Sequence, residues 1–133
     1  MSYPVSLIML DIDNFKEYND THGHLEGNKL LRRIGKVIRS CIKDDVDSAF
    51  RYGGDEFTVI LPYADSDQAK NVVKRIVKTV KSELASIQIS GGAACSKTSK
   101  TITDLINSAD LAMYENKATK KKKSAKTKKS SSA

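Results

Sequence analysis

Residues Val5 to Leu10 form an unbroken apolar run that stops abruptly at Asp11-Ile12-Asp13. A short continuous run of this kind predicts a strand buried on both faces at the centre of a sheet. Such a strand needs cover, and the remaining pattern supplies it. Asn14 to His22 predicts a short helix closed by Gly23. Leu30, Leu31, Ile34, Val37, Ile38 and Cys41 recur at helical spacing and predict a helix from about Gly27 to Ile42. Ser48–Tyr52 and Phe57–Leu61 predict two strands joined by Gly53-Gly54-Asp55-Glu56, a tight hairpin. Val72, Val73, Ile76, Val77, Val80 and Leu84 mark another helix, entered through Asp65-Ser66-Asp67. Ile87–Cys95 predicts a strand, and Ile102, Leu105, Ile106, Ala109 and Met113 predict a last helix capped by Thr101 or Thr103. The order β-α-α-β-β-α-β-α predicts an α/β (α+β) sandwich, a central mixed β-sheet covered by helices, with crossover helices joining parallel strands.

Composition narrows the class. A chain of 133 residues with 39% hydrophobic and 29% charged residues is large enough for one domain with its own core. No run approaches the roughly 18 apolar residues of a membrane span, and the start lacks a basic stretch followed by an apolar one. The expected location is cytoplasmic. Cys41 and Cys95 show no metal-binding spacing and are expected as buried free thiols. The net charge of +7 is unevenly spread, because residues 117–133 hold eight lysines and no acid. The preceding 116 residues are close to neutral. We therefore expect a folded domain over 1–117 and a disordered Lys/Ser-rich tail over 118–133. Such a tail suggests, weakly, attraction to nucleic acid or an anionic membrane.

Three carboxylates stand where carboxylates are costly. Asp11 ends a buried strand, while Asp55 and Glu56 sit at a Gly-Gly hairpin. A hairpin beside the first strand would bring Asp55 near Asp11, and two such groups repel unless a cation lies between them. Mg²⁺ is the hard cation typically held by one or two carboxylates plus substrate phosphates. Asp13 is read as support for the turn rather than a ligand. Between the acids, Asn14-Phe15-Lys16 turns from strand into helix, where backbone N–H groups and a lysine suit an anion. The residues thus predict a metal-dependent nucleotide site.

The same residues carry a resemblance. Arg51-Tyr52-Gly53-Gly54-Asp55-Glu56-Phe57 resembles the signature of GGDEF domains, the diguanylate cyclases. Asp11-Ile12-Asp13-Asn14-Phe15-Lys16-Glu17-Tyr18-Asn19-Asp20, followed by Gly23-His24-Leu25-Glu26-Gly27-Asn28, resembles the family's DxDxFKxxND…GHxxGD segment. Ala109 to Lys117 resembles its ADxALYxAK segment. The resemblance implies a fold similar to class III nucleotidyl cyclases and polymerase palm domains. It implies condensation of two GTP into cyclic di-GMP with release of pyrophosphate, across an antiparallel homodimer. It further implies two Mg²⁺ ions per site, or Mn²⁺, held by Asp11, Asp55 and the Ile12 carbonyl. Glu56 would be a required acid. Asn14, Phe15 and Lys16 would hold the phosphates, with Lys16 and Lys117 neutralising the γ-phosphate. Asn19 and Asn28 would recognise guanine, and Gly53 and Gly54 would admit the nucleotide to the backbone.

Four departures qualify that expectation. Asn28 replaces the usual Asp, so one charged acceptor for guanine is lost and a mixed cyclic GMP–AMP product becomes an alternative. Asp44 stands at the Arg position of the product-inhibition motif, Asp44-Asp45-Val46-Asp47, so no tight product inhibition is expected there. Lys121 takes the place of an Arg after Lys117 and would meet phosphate as a point charge. The DxLTGLxNR-like segment and any sensory or dimerising domain are not in the sequence, which predicts a chain working as part of something larger. The alternative to an enzyme is a degenerate domain that binds GTP without turnover.

Overall fold

The computed structural model describes residues 3–131, with side chains described as far as Lys122. Strand β1 (Val5–Ile12) lies inside a four-stranded sheet. Its order is β2 (Ser48–Arg51), β3 (Glu56–Pro62), β1, then β4 (Ile89–Cys95). Every pairing is antiparallel: Asp11 faces Glu56 on one side and Ser90 on the other, and Arg51 faces Phe57 across the hairpin. The expected mixed sheet is therefore corrected to an antiparallel one. The crossover argument still holds for direction, since β1 and β2 run the same way, as do β3 and β4. It does not fix adjacency. Each helical crossover skips one strand that enters between the pair, the split βαβ arrangement.

The two faces of the sheet are covered differently. Ile8, Leu10 and Ile12 of β1, with Phe57, Val59, Leu61 and Ile89, pack against α2 (His24–Ser40) and α3 (Ser66–Glu83). On the opposite face Leu7, Met9 and Ala94 meet Leu105, Ala109 and Met113 of α4 (Ile102–Ser131). That helix lies unusually close to β4. A Cβ at Gly92 would come within 2.2 Å of the Met113 nitrogen and 2.6 Å of the Ala109 carbonyl oxygen. The small-residue stretch Ser90-Gly91-Gly92-Ala93-Ala94 is what lets helix backbone rest on strand backbone.

Local signals explain the element ends. Helix α1 (Phe15–His22) closes at Gly23, whose φ of 90° also opens α2, so α2 begins at His24 rather than near Gly27. One glycine thus serves both helices. Asp65 and Gln68 form a reciprocal capping box at the start of α3. The Thr101 hydroxyl accepts from the Asp104 amide at 3.1 Å and caps α4. β4 begins at Ile89, two residues later than expected, because Ile87 is still tied by its amide to the Leu84 carbonyl.

The expected boundary at 117 is not marked by a break in secondary structure among the described residues. Helix α4 runs past Lys117 to Ser131, through the segment expected as a tail. Lysine and alanine are good helix formers, and the docked first half of α4 removes the nucleation cost that an isolated tail would face. Residues 132 and 133 lie outside the described residues. Cys41 and Cys95 are buried free thiols, as expected. No described helix is long and apolar enough to cross a membrane.

Candidate active site

Asp11 reaches the end of β1 with its side chain still buried. The hairpin brings its acids alongside: Asp11 faces Glu56 across the sheet, and the Ile12 amide donates to the Asp55 carbonyl at 3.1 Å. The turn itself is held by the Tyr52 amide on the Glu56 carbonyl, 2.9 Å. From the other face Lys117 of α4 donates to Asp11 Oδ2 at 2.5 Å. Asp11 Oδ1 is buried and has no hydrogen-bond partner.

Burial pushes the Asp11 carboxyl up to about 6, with the neighbouring Asp55 adding to the rise and Lys117 opposing it. Glu56 is raised as well, first by burial and then by the charges of Asp110 and Asp55. For Lys117, burial would favour the neutral amine. Contact with Asp11 and the charges of Asp13 and Asp55 outweigh it, so its pKa is raised. The cluster is therefore short of positive charge. An orphaned buried carboxylate oxygen beside a second carboxylate is what a divalent cation would satisfy. Among the described residues no group of three or more His, Cys, Asp and Glu could hold a metal unaided. Two carboxylates with ligand oxygens completing the shell suit Mg²⁺ rather than an all-protein cage.

Asp13 is held by β4 and α4 rather than by the turn it was expected to support. Its Oδ1 accepts from the Ser90 hydroxyl at 2.7 Å and its Oδ2 from Lys120 at 3.2 Å. Lys120 also bonds the Ile89 carbonyl and lies 3.3 Å from the Ser90 hydroxyl. Neither Lys120 nor Ser90 stands out in the sequence. Helical spacing puts Lys120 one turn beyond Lys117 and so on the same face, but does not say that it reaches Asp13.

The remaining predicted residues frame this centre. Asn14 adopts a left-handed conformation, φ 57°, where β1 turns into α1, and its carbonyl takes the Tyr18 amide at 3.1 Å. Phe15 packs onto the core, leaving Lys16 exposed. Asn19 sits at the corner of α1 and α2 with its Oδ1 buried and unpartnered, against Gly27; Asn28 is exposed beside it. At the hairpin, an added Cβ would meet nothing within 4 Å at Gly54 and only Glu56 Oε2 at 3.8 Å at Gly53. Neither glycine has positive φ, so the fold makes no demand for glycine at the tip. Lys121 is exposed and borders a cleft of about 510 Å³ between α1 and α4, shared with Asp13, Asn14, Tyr18, Lys117 and Lys120.

Comparison with known proteins decides the family. The model of the diguanylate cyclase GGDEF domain matches residues 1–123. The chain belongs to the GGDEF family. It is 36% identical over 121 residues to diguanylate cyclase A of Treponema denticola, covering 85% of this chain and 32% of that protein. It is 36% identical over 123 residues to diguanylate cyclase VdcA of Vibrio cholerae, covering 85% of this chain and 36% of that protein. The GGDEF domain of DgcB from Caulobacter crescentus, solved in complex with c-di-GMP, superposes with a TM-score of 0.80 at 31% identity. That match covers 86% of this chain and 72% of the solved one. The chain thus spans about a third of the length of these two curated relatives.

Proposed function

We propose that this GGDEF domain is a diguanylate cyclase, condensing two GTP into cyclic di-GMP with release of pyrophosphate. The observation that carries the reading is the meeting of Asp11 and Asp55 at one strand end, with a buried Asp11 oxygen left without a donor. Asp11 and Asp55, with the Ile12 carbonyl, would hold Mg²⁺ or Mn²⁺, two ions per site. Bound there, metal would supply charge stabilisation at the reacting phosphate and activation of the attacking hydroxyl.

The chain's own residues do the rest. The amides of Asn14, Phe15 and Lys16 receive the phosphates at the start of α1, and Lys16, Lys117 and Lys121 neutralise them. Asn19, held over Gly27, and Asn28 read the base, while Gly53 and Gly54 keep the hairpin tip free of side chains. Glu56, with its raised pKa, adds an acid at the reacting edge. One domain presents one nucleotide, so turnover requires a second copy in antiparallel arrangement, brought there by a sensory or dimerising domain or, without one, by high protein concentration. The compartment is the cytoplasm, where GTP is available. At the Asp44–Asp47 turn the Lys43 amide is held by Asp47 at 2.9 Å and Asp44 stays exposed, so a phosphodiester product meets an acid there and inhibition is weak.

Chromatography of products after incubation with Mg²⁺ and GTP, ATP or both, beside Asp55→Ala, tests the proposal. Cyclic di-GMP from GTP alone, lost in the variant, is the expected result. A mixed cyclic GMP–AMP would locate relaxed base choice at Asn28. GTP binding without product at high protein concentration would reject the cyclase and leave a nucleotide-binding module.

A further inference from the structure

We infer that Lys117 is the resting counter-ion of the metal position, so that metal binds the free protein poorly and binds well only together with a triphosphate. The inference rests on the reading of Asp11 as a metal ligand.

The Lys117 ammonium stands 2.5 Å from Asp11 Oδ2, on the carboxylate a cation would take, while the other Asp11 oxygen has no partner. One ammonium therefore meets half of what the carboxylate asks for. Backbone withdrawal is not an easy way to free Asp11. Gly92 locks α4 onto β4 one to two turns upstream, and Asn116 Oδ1, next to Lys117, accepts from the Gly91 amide at 3.1 Å. What can move is the four-carbon side chain.

Where the displaced ammonium would go decides the coupling. Asp13 is the obvious second acceptor, yet both of its oxygens are taken, by Ser90 and by Lys120. Metal arriving alone on the open Oδ1 shares one carboxylate with the Lys117 ammonium on Oδ2, and must either bear that repulsion or drive the ammonium off, with no free Asp13 oxygen to receive it. A triphosphate arriving with the metal brings its own acceptor oxygens and relieves that cost. The same side chain thus opposes metal in the empty site and holds phosphate in the filled one. Metal and nucleotide are coupled through it beyond the affinity they have for each other in solution.

The test is Mn²⁺ binding to the whole chain without nucleotide, followed by the paramagnetic signal of free Mn²⁺ at fixed ionic strength. Lys117→Gln is expected to bind Mn²⁺ roughly tenfold more tightly than wild type, the scale of one charge-assisted hydrogen bond removed from competition. Lys122→Gln, which deletes the same charge without touching Asp11, should leave the affinity unchanged, and Asp11→Asn should abolish the binding. Equal affinity in wild type and Lys117→Gln, or equal tightening in Lys122→Gln, overturns the inference. Should Lys117→Gln not fold, the wild type answers alone: saturating Mg²⁺ without nucleotide must shift the Lys117 side-chain NMR signal, and an unmoved signal overturns it. The cyclase reading fails separately. Cyclic di-GMP production with unaltered Mn²⁺ affinity sinks only the coupling, whereas Lys117-dependent Mn²⁺ binding without product sinks only the cyclase.

Discussion

A Cβ on Gly27 would stand 1.7 Å from the Oδ1 of Asn19. The glycine is therefore a seat for the asparagine, and α2 accepts a poor helix former in its first turn to keep that seat open. The Asn19 oxygen held there is buried and without a protein donor, which suits an acceptor reserved for a ligand. Gly27→Ala gains about 1 kcal/mol of helix propensity but must push Asn19 aside. Stability should change little, while guanine nucleotide affinity should drop about tenfold or more, the worth of one displaced buried hydrogen bond. Titration calorimetry with GTP beside a urea melt separates the two effects. Unchanged GTP affinity would remove Asn19 from the base-recognition site.

Gly92 is the equivalent seat for a helix. An added methyl would meet backbone, with the Met113 nitrogen at 2.2 Å and the Ala112 carbonyl carbon at 2.5 Å, and backbone cannot rotate away as a side chain can. Gly92→Ala should destabilise the domain by about 2–3 kcal/mol, the upper part of the usual overpacking range. Because α4 also carries Lys117, the displaced helix should lose the Asp11 contact as well. Chemical denaturation gives the first effect. A variant as stable as wild type would mean that α4 does not rest on β4 as described.

Much of this was legible in the sequence, and the exceptions share a cause. The apolar run of β1, the Gly53-Gly54 hairpin and the periodic helices depend on local pattern, and their elements lie where that pattern puts them. Strand adjacency was not legible: which strand enters between β1 and β2 depends on pairing between distant segments. The extent of α4 was not legible, because composition describes an isolated tail and not one that continues a docked helix. At the site, Asp11, Asp55 and Lys117 were visible as chemistry. Lys120 and Ser90 were not, because their importance comes only from the close approach that Gly92 permits.

The Lys120–Asp13 contact predicts a measurable coupling. Their side chains are largely covered, the distance is 3.2 Å, and Ser90 completes the group, so the pair is worth more than a surface bridge. Lys120→Met and Asp13→Asn should each cost about 1–2 kcal/mol. The double variant should cost less than their sum by about 1 kcal/mol, since either change alone breaks the contact. Urea unfolding of the four proteins closes the cycle. Strict additivity would show that α4 is not tied to the end of β1 by this pair.

The raised pKa of Asp11 turns the site into a pH-dependent liability for the empty domain. The group moves from an ordinary 3.8 to about 6 on folding, chiefly because burial disfavours its charge. Between those values the folded protein holds a proton that the unfolded chain has released. Stability therefore falls as pH rises from about 4 to about 6, and above that the cost stands in full, about 2–3 kcal/mol at 1.36 kcal/mol per pKa unit. Asp11→Asn removes the titrating charge and should be more stable than wild type at pH 8 in the presence of a chelator, by somewhat less than that because Lys117 loses its partner. The advantage should fade towards pH 4, where wild-type Asp11 is neutral in the folded state. Mg²⁺ should shrink it at pH 8 by stabilising only the wild type through mass action. Urea midpoints at the two pH values decide the matter: a difference independent of pH would show that Asp11 keeps an ordinary carboxyl in the folded domain and that the strand end is not the electrostatically strained site described above.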